Sequence, residues 1–166
     1  MKRTKQNQEA IKIAAQMAAE IHRGQIDKGE NDYFAGHLTS VASMGKTWKE
    51  QVLGYLHDAA EDTPITEMEV MNQLQEKLAE KLTAVEFDEL LTALQLLNNK
   101  HSETREEYLS KVVTNSLAAR VKLNDLTNNM DLTRLSNPTE KDLERVERYK
   151  KEIEMVKKSL SSLENK

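Results

Sequence analysis

The chain of 166 residues is long enough for one domain that buries about 70% of the surface exposed by its unfolded form. Its net charge of −4 argues against a general nucleic-acid binder, because no basic stripe is present to neutralise phosphates. The absence of cysteine excludes disulfides, thiolate catalysis and cysteine-ligated zinc, so any metal must bind to histidine and carboxylate.

Two prolines and five glycines interrupt the chain, which predicts long helices with short connections. The first predicted helix covers residues 7–22 and has a buried stripe that recurs every three or four residues. This stripe consists of Ala10, Ile11, Ala14, Met17, Ala18 and Ile21. Residues 24–36 contain three of the glycines and predict a polar loop, after which a short helix begins near His37.

The next helix is predicted over residues 47–62 and ends at Thr63-Pro64, because proline disfavours helical backbone in the residue before it. Thr66 and Glu69 have the spacing of a capping box, which predicts that another helix begins there. The residues of that helix expected to point inward are Met68, Met71, Leu74 and Leu78.

Three further helices are predicted over residues 85–98, 104–115 and 117–130. Thr104 with Glu107 has the spacing of a second capping box. No segment alternates between apolar and polar residues for long enough to predict a strand.

A densely charged last helix is predicted from Thr139 to about Leu160, after a break at Asn137-Pro138. Its inner seam is expected to be Leu143, Val146, Tyr149, Ile153, Val156 and Leu160. The sequence has no internal repeat and no low-complexity segment, so it predicts one all-α domain over residues 1–166.

Four ionisable groups lie within six residues of an otherwise apolar predicted helix. They are His57, Asp58, Glu61 and Asp62. Burying so much charge is costly unless something binds it, and a divalent metal is the usual partner. Side chains four apart share a helix face, so the four groups form two adjacent rows. One row can bind metal while the other handles a water proton, which indicates a hydrolase.

A metal site needs further ligands, which two other predicted helices supply. His37 begins the short helix after the glycine-rich loop, and Asp125 interrupts another buried-looking helix. With His57 and Asp58 they offer two nitrogens and two carboxylates, a set that suits Mn²⁺ or Fe²⁺ and tolerates Zn²⁺. A bound metal would lower the pKa of a water molecule and supply hydroxide near neutral pH.

Glu61 and Asp62 follow one turn later, where they can orient that water or protonate a leaving oxygen. Four polar residues near the ligand segments are predicted phosphate or ribose contacts: Arg23, Lys28, Lys122 and Asn129. Taken singly, His37 can also be a helix cap, and Asp125 can pair with a nearby basic side chain.

Four other residues are interpreted as structural. His22 and His101 have the positions of ordinary loop or helix-end residues, and Trp48 and Phe87 those of packing residues. No apolar stretch approaches the roughly 18 residues that a transmembrane helix needs. The first residues are not followed by the apolar segment of a signal peptide, so we expect a cytoplasmic protein that does not associate with membranes.

A resemblance to the RelA/SpoT branch of the HD superfamily lies in the segment Leu53-Gly54-Tyr55-Leu56-His57-Asp58-Ala59-Ala60-Glu61-Asp62-Thr63. Further blocks agree with this family in order and spacing. They are His22-x-Gly24-Gln25, His37-x-x-x-Val41-Ala42, and Val121-Lys122-Leu123-Asn124-Asp125 followed by Asn129-Met130. Tyr108 and the region of Tyr149 also fit, and the resemblance covers about residues 8 to 155.

Members of this branch are metal-dependent enzymes that remove the 3′-pyrophosphate from the alarmones ppGpp and pppGpp, usually with Mn²⁺. The resemblance implies an HD-type helical bundle of the small stand-alone kind, since no synthetase segment follows. It implies Glu61 and Asp62 as the catalytic pair and, as metal ligands, His37, His57, Asp58 and Asp125.

Residues of the expected nucleotide pocket depart from the family pattern. Asp27-Lys28 stands where the family has Arg-Lys, which reverses one charge. Leu38 replaces the usual proline after the first histidine ligand, and Asn124 replaces a small residue before the last aspartate. These changes leave the expected metal ligands in place and alter the pocket around them.

The sequence therefore predicts a Mn²⁺-dependent phosphohydrolase of the small alarmone hydrolase type that acts on a nucleotide 3′-diphosphate. One alternative is an enzyme with the same metal centre and another substrate, such as a cyclic nucleotide or the 2′-phosphate of NADPH. Another is a non-catalytic nucleotide-binding protein, against which the complete set of ligand positions argues. The expected partner is a small phosphorylated nucleotide, and a homo-oligomer is left open.

Overall fold

The computed structural model describes residues 2–165 and confirms the all-α fold. The predicted domain also includes residues 1 and 166, which lie outside this range. Within the described range, the pairing of Ile26 with Asp32 is an isolated β-bridge and no strand forms. No helix of residues 2–165 combines the length and the apolar character needed to cross a membrane.

The α-helices of the described residues follow one another with short connections. In chain order they are α1 (Lys2–Ile21), α2 (Thr39–Ser43), α3 (Trp48–Leu56), α4 (Ala59–Asp62), α5 (Glu67–Lys77), α6 (Ala84–Leu97), α7 (Arg105–Val112), α8 (Ser116–Met130) and α9 (Glu140–Glu164). A π-helical turn at Phe34–Leu38 leads into α2, and 3₁₀ turns lie at Asn99–His101 and Leu132–Arg134.

Polar side chains mark where most of these helices begin. At each of six starts, a side-chain oxygen accepts the backbone N–H three residues later, at Thr47, Thr66, Thr83, Thr104, Asn115 and Thr139. The capping box of Thr66 with Glu69 is confirmed. At Thr104, the Glu107 carboxylate accepts the Glu103 amide instead of closing the box. Each cap satisfies an amide that the helix itself leaves without a partner.

Helix α3 lies at the centre of the fold, packed against α1, α2, α6 and α8. The main hydrophobic core gathers around it and includes Leu53, Met71 and Leu90. Gly54 lets α3 approach α2 closely, since a Cβ there would lie 2.6 Å from the Ala42 Cα. The carboxyl end of α3, which carries the charged motif, is therefore enclosed by other helices.

A second apolar cluster joins α8 to α9 through residues that include Leu126, Ile153 and Val156. The predicted inner seam of the last helix is confirmed except at Leu143, which is 50% exposed. Met68 of α5, also predicted to point inward, is 46% exposed. Both expectations are wrong because each residue lies near the start of its helix, where the neighbouring helices leave it uncovered.

Candidate metal centre

The helix predicted over residues 47–62 is interrupted at the charged motif, so the expectation of one continuous helix is wrong. α3 ends at Leu56, His57 is its C-cap, and Asp58 precedes α4. Consecutive side chains on a regular helix point about 100° apart. At this junction, however, His57 Nε2 and Asp58 Oδ2 lie 3.1 Å apart. The break therefore directs two adjacent residues to one point.

Four side chains predicted as metal ligands converge on that point, with ligand atoms that all lie within 4.8 Å of one another: His37, His57, Asp58 and Asp125. His37 Nε2 lies 3.0 Å from Asp125 Oδ1 and 3.4 Å from Asp58 Oδ2. His57 Nε2 lies 3.4 Å from Asp125 Oδ1. The four residues are buried, so each charge depends on its neighbours or on a bound cation.

Separate parts of the chain supply these ligands. His37 lies inside the π-helical turn Phe34–Leu38, and not at the start of a helix as predicted. Asp125 lies in the second half of α8, which packs against both α2 and α3. The cluster therefore forms only when the helices are assembled, although all its members were identified from the sequence.

Both histidines are oriented by their Nδ1 atoms. His37 Nδ1–H donates to Asn128 Oδ1 at 2.7 Å, and His57 Nδ1–H donates to the Gly54 carbonyl at 2.8 Å. Each Nε2 is thereby directed to the carboxylates, which is how histidine is held in metal sites. His57 Nε2 is buried without a hydrogen-bond partner among the described residues. The donor set and its orientation fit a divalent metal.

Tyr33 is a contact of the cluster that sequence reasoning missed. Its hydroxyl donates to Asp58 Oδ2 at 2.6 Å, and its ring lies between His22 and His37, with centroids 5.2 Å and 5.3 Å away. Burial and the negative charge of Asp58 raise the pKa of Tyr33, so the hydroxyl remains a donor. The only signal in the sequence is its position four residues before His37.

His22 directly follows the last residue of α1, so it is a helix-end residue as interpreted, but its side chain is buried. Its Nδ1 lies 2.8 Å from Gln25 Oε1, and Gln25 Nε2–H donates to Asp62 Oδ2 at 3.0 Å. Asp62, predicted to be catalytic, is thus held by Gln25 at the start of the loop and does not line the cavity beside the cluster. Burial and the charge of Asp58 raise the pKa of Asp62.

A cavity of about 200 Å³ opens beside the cluster. Its lining includes the four candidate ligands and Glu61, together with the cationic residues Lys28, Arg105, Lys122 and Arg134. Arg105 and Arg134 were not predicted. Arg23, a predicted contact, is exposed and outside this lining. A cavity with both carboxylates and cations can bind a metal and an anionic group side by side.

Lys122 and Asn129, both predicted to contact the substrate, donate hydrogen bonds to Asp125, a candidate metal ligand. Lys122 Nζ donates to Asp125 Oδ2 at 2.8 Å and lies 5.1 Å from the centre of the Tyr108 ring. Burial alone would lower the pKa of Lys122, but the charge of Asp125 outweighs it and raises that pKa. Asn129 Nδ2–H donates to Asp125 Oδ1 at 3.2 Å. Both side chains also line the cavity, so they can meet a ligand while orienting Asp125.

Asp27, which stands where the family pattern has a basic residue, accepts hydrogen bonds within its own loop. Its Oδ1 accepts the Gly29 amide at 2.8 Å and the Asn31 amide at 3.0 Å. Its Oδ2 packs against Gly36, where a Cβ would lie only 2.3 Å away. Asp27 borders the cavity, but the two amides partly offset its charge, and Lys28 is the cation that this loop contributes.

No model of a known protein family matches this chain, and no curated protein matches it.

The metal-free protein is expected to lose stability as the pH rises from about 6.5 to about 9. Burial alone would lower the pKa of His37, but hydrogen bonds and charges from Asp125 and Asp58 outweigh it and raise the pKa from 6.5 to about 9. A raised pKa stabilises the fold fully below the unfolded value, and this contribution is lost as the pH passes the folded value. The expected loss is on the order of 3 kcal/mol.

Urea unfolding at several pH values, with a chelator present, measures this loss. A His37→Asn variant should show a shallower decline over the same range, although His57, whose pKa is also raised, still titrates. A free energy of unfolding that stays constant or increases between pH 6.5 and 9 would contradict the expectation.

Proposed function

We propose that this protein is a metal-dependent phosphohydrolase that acts on a small phosphorylated nucleotide. The observation that carries the proposal is the convergence of two imidazole nitrogens and two carboxylates beside a cavity lined with cations. Such a pairing of metal ligands with phosphate-binding side chains suits cleavage of a phosphate ester or anhydride.

The metal would be held by His37, His57, Asp58 and Asp125. When bound, it would lower the pKa of a water molecule and polarise a phosphoryl oxygen. Nitrogen and carboxylate ligands in this ratio suit Mn²⁺ or Fe²⁺ and tolerate Zn²⁺. Mn²⁺ is the first choice, because the motif resembles that of enzymes that usually use it.

The cations of the cavity would bind and orient the phosphate groups. Lys122 is fixed by Asp125, so its ammonium group stays beside the metal ligands. Arg105 is fixed by Glu152, whose carboxylate oxygens both lie 2.9 Å from its Nε. Side chains held in place in this way orient a charged substrate without a further loss of side-chain entropy.

Glu61 would transfer the proton. It lines the cavity, and burial together with the charge of Asp58 raises its pKa. A carboxyl group with a raised pKa is suited to exchange a proton near neutral pH. Asp62 lies outside the cavity lining, so it would act indirectly, through its hydrogen bond with Gln25.

The first candidate substrate is ppGpp, on the basis of the His-Asp-x-x-Glu-Asp motif and its resemblance to the alarmone hydrolases. The second is another phosphorylated nucleotide, such as a cyclic nucleotide or NADPH through its 2′-phosphate. The altered loop supports the second substrate class, because Asp27 stands at the border of the cavity where the family pattern has a basic residue.

Incubation of the purified protein with Mn²⁺ and a panel of nucleotides tests the proposal. The panel should include ppGpp, pppGpp, NADPH, 3′-phosphorylated nucleotides and cyclic nucleotides, with release of pyrophosphate and phosphate measured separately. Pyrophosphate release from ppGpp supports the first substrate. Hydrolysis of another member alone supports the second. Absence of any turnover, together with absence of bound metal, would overturn the proposal in favour of a non-catalytic protein.

A further inference from the structure

A turn that carries none of the candidate metal ligands contacts α4 at two adjacent residues. Asn99, the first residue of the 3₁₀ turn Asn99–His101, donates its backbone N–H to Glu61 Oε1 at 3.1 Å. Lys100 Nζ donates to the carbonyl of Ala60, also at 3.1 Å. The turn therefore holds both the side chain of Glu61 and the backbone immediately before it.

The turn is itself anchored by the first residue of α5. Glu67, the first residue of α5, is buried, and its Oε1 accepts Asn98 Nδ2–H at 3.2 Å. The same oxygen pairs with His101 Nε2. One buried carboxylate therefore binds both sides of the turn. The Asn98 side chain closes it further, since its Oδ1 accepts the Lys100 amide at 3.0 Å.

The anchoring has an energetic consequence for Glu61. The carboxylate of an unrestrained side chain samples several rotamers. Only those that direct it to the reacting group allow proton transfer. A backbone amide on a fixed turn restricts that choice, and a hydrogen bond to an ionised group is stronger than one between neutral groups. The amide binds Oε1 and leaves Oε2 free of this contact.

We propose that the segment Asn98–His101, anchored by Glu67, is a positioning element that orients the Glu61 carboxylate through the Asn99 amide. The inference rests on the proposed function, in which Glu61 transfers the proton. Glu67 lies outside the cavity lining, so its effect on the reaction would be exerted only through the turn.

The Asn99→Pro variant removes the N–H that donates to Glu61. Proline suits this position, because it is the first of a 3₁₀ turn and because Asn98 before it has extended backbone, with φ −89 and ψ 110. Asn99→Ala is the matched control, since it removes the same side chain and keeps the N–H. We expect kcat of the proline variant to fall about tenfold below that of the alanine variant, with KM and bound metal unchanged. Equal kcat values would overturn the proposal.

A second pair of variants tests the anchor and does not depend on whether the proline variant folds. Glu67→Ala removes the oxygen that binds Asn98 and His101, whereas Glu67→Gln keeps an acceptor at that position. The alanine variant should lose kcat severalfold, and the glutamine variant should recover most of it. Reduced thermal stability of Glu67→Ala with an unchanged kcat would show a merely structural role and overturn the inference.

A spectroscopic measurement separates this inference from the proposed function. In ¹H–¹⁵N spectra, the Asn99 amide proton should shift upfield and exchange faster with solvent in a Glu61→Ala variant. If this occurs while no nucleotide is hydrolysed, the contact stands and the proposed function fails. If a nucleotide is hydrolysed but the Asn99 resonance is unaffected by the change at Glu61, the positioning element fails alone.

Discussion

Replacement of Asp58 by alanine is expected to remove the bound metal and the hydrolytic activity together. Asp58 Oδ2 lies 3.4 Å from His37 Nε2 and 3.1 Å from His57 Nε2, so this carboxylate oxygen contacts both imidazoles. Loss of a residue that merely orients a ligand costs about 10- to 100-fold in metal affinity. Loss of a ligand should cost more than that range, and hydrolysis should fall below detection at micromolar metal.

Metal content by mass spectrometry and metal titration by calorimetry measure this loss. The variant must also be compared with wild type by circular dichroism, because removing one partner from a buried ion pair destabilises a protein by about 3–5 kcal/mol. Asp88→Ala, at an exposed position of α6, is the matched control and should keep metal and activity. A folded Asp58→Ala protein that retains stoichiometric metal would contradict the ligand assignment.

Replacement of Glu61 by glutamine should greatly reduce turnover while the protein keeps its metal. Glutamine has nearly the same shape and can still accept the Asn99 amide, but it cannot exchange a proton. A positioned acid or base contributes about 10²- to 10⁴-fold to a rate, so kcat should fall within that range. Steady-state kinetics with the substrate found in the nucleotide panel, together with metal content, measures both properties.

Glu106→Gln provides the control, because Glu106 is exposed on α7 and undergoes the same chemical change. It should retain wild-type kcat. Full turnover by a metal-loaded Glu61→Gln protein would rule out Glu61 as the group that transfers the proton, and Asp62 would then be the next residue to test.

These two variants separate the binding of metal from the movement of the proton. A protein that loses both properties in Asp58→Ala but only turnover in Glu61→Gln behaves as a metal-dependent hydrolase. A protein that binds a nucleotide without hydrolysing it, and binds it equally well after either change, behaves as a non-catalytic nucleotide-binding protein.

Much of the fold follows from local signals in the chain. Threonine and asparagine caps lie where the sequence predicts helix starts, because they satisfy amides within three residues of themselves. The all-α class follows from apolar residues that recur at helical spacing and from the scarcity of glycine and proline. These are short-range effects, so a single sequence contains them.

The break between α3 and α4 could not be predicted, since the residues 47–62 read as one periodic segment. Tertiary structure overrides that periodicity at His57 and Asp58, where His57 Nε2 lies close to both Asp58 Oδ2 and Asp125 Oδ1. The exposure of Met68 and Leu143 could not be predicted either, because it depends on where neighbouring helices end.

The sequence by itself determined which residue types are available for a metal and in which segments of the chain they lie. Ionisable groups within an apolar stretch need a partner wherever the chain places them, so His57, Asp58 and Asp125 could be selected from the sequence. Only the tertiary structure decided what surrounds them. Tyr33, Asn128 and the cationic side chains reach the cluster through contacts between distant segments, and such contacts depend on the packing of helices rather than on spacing along the chain.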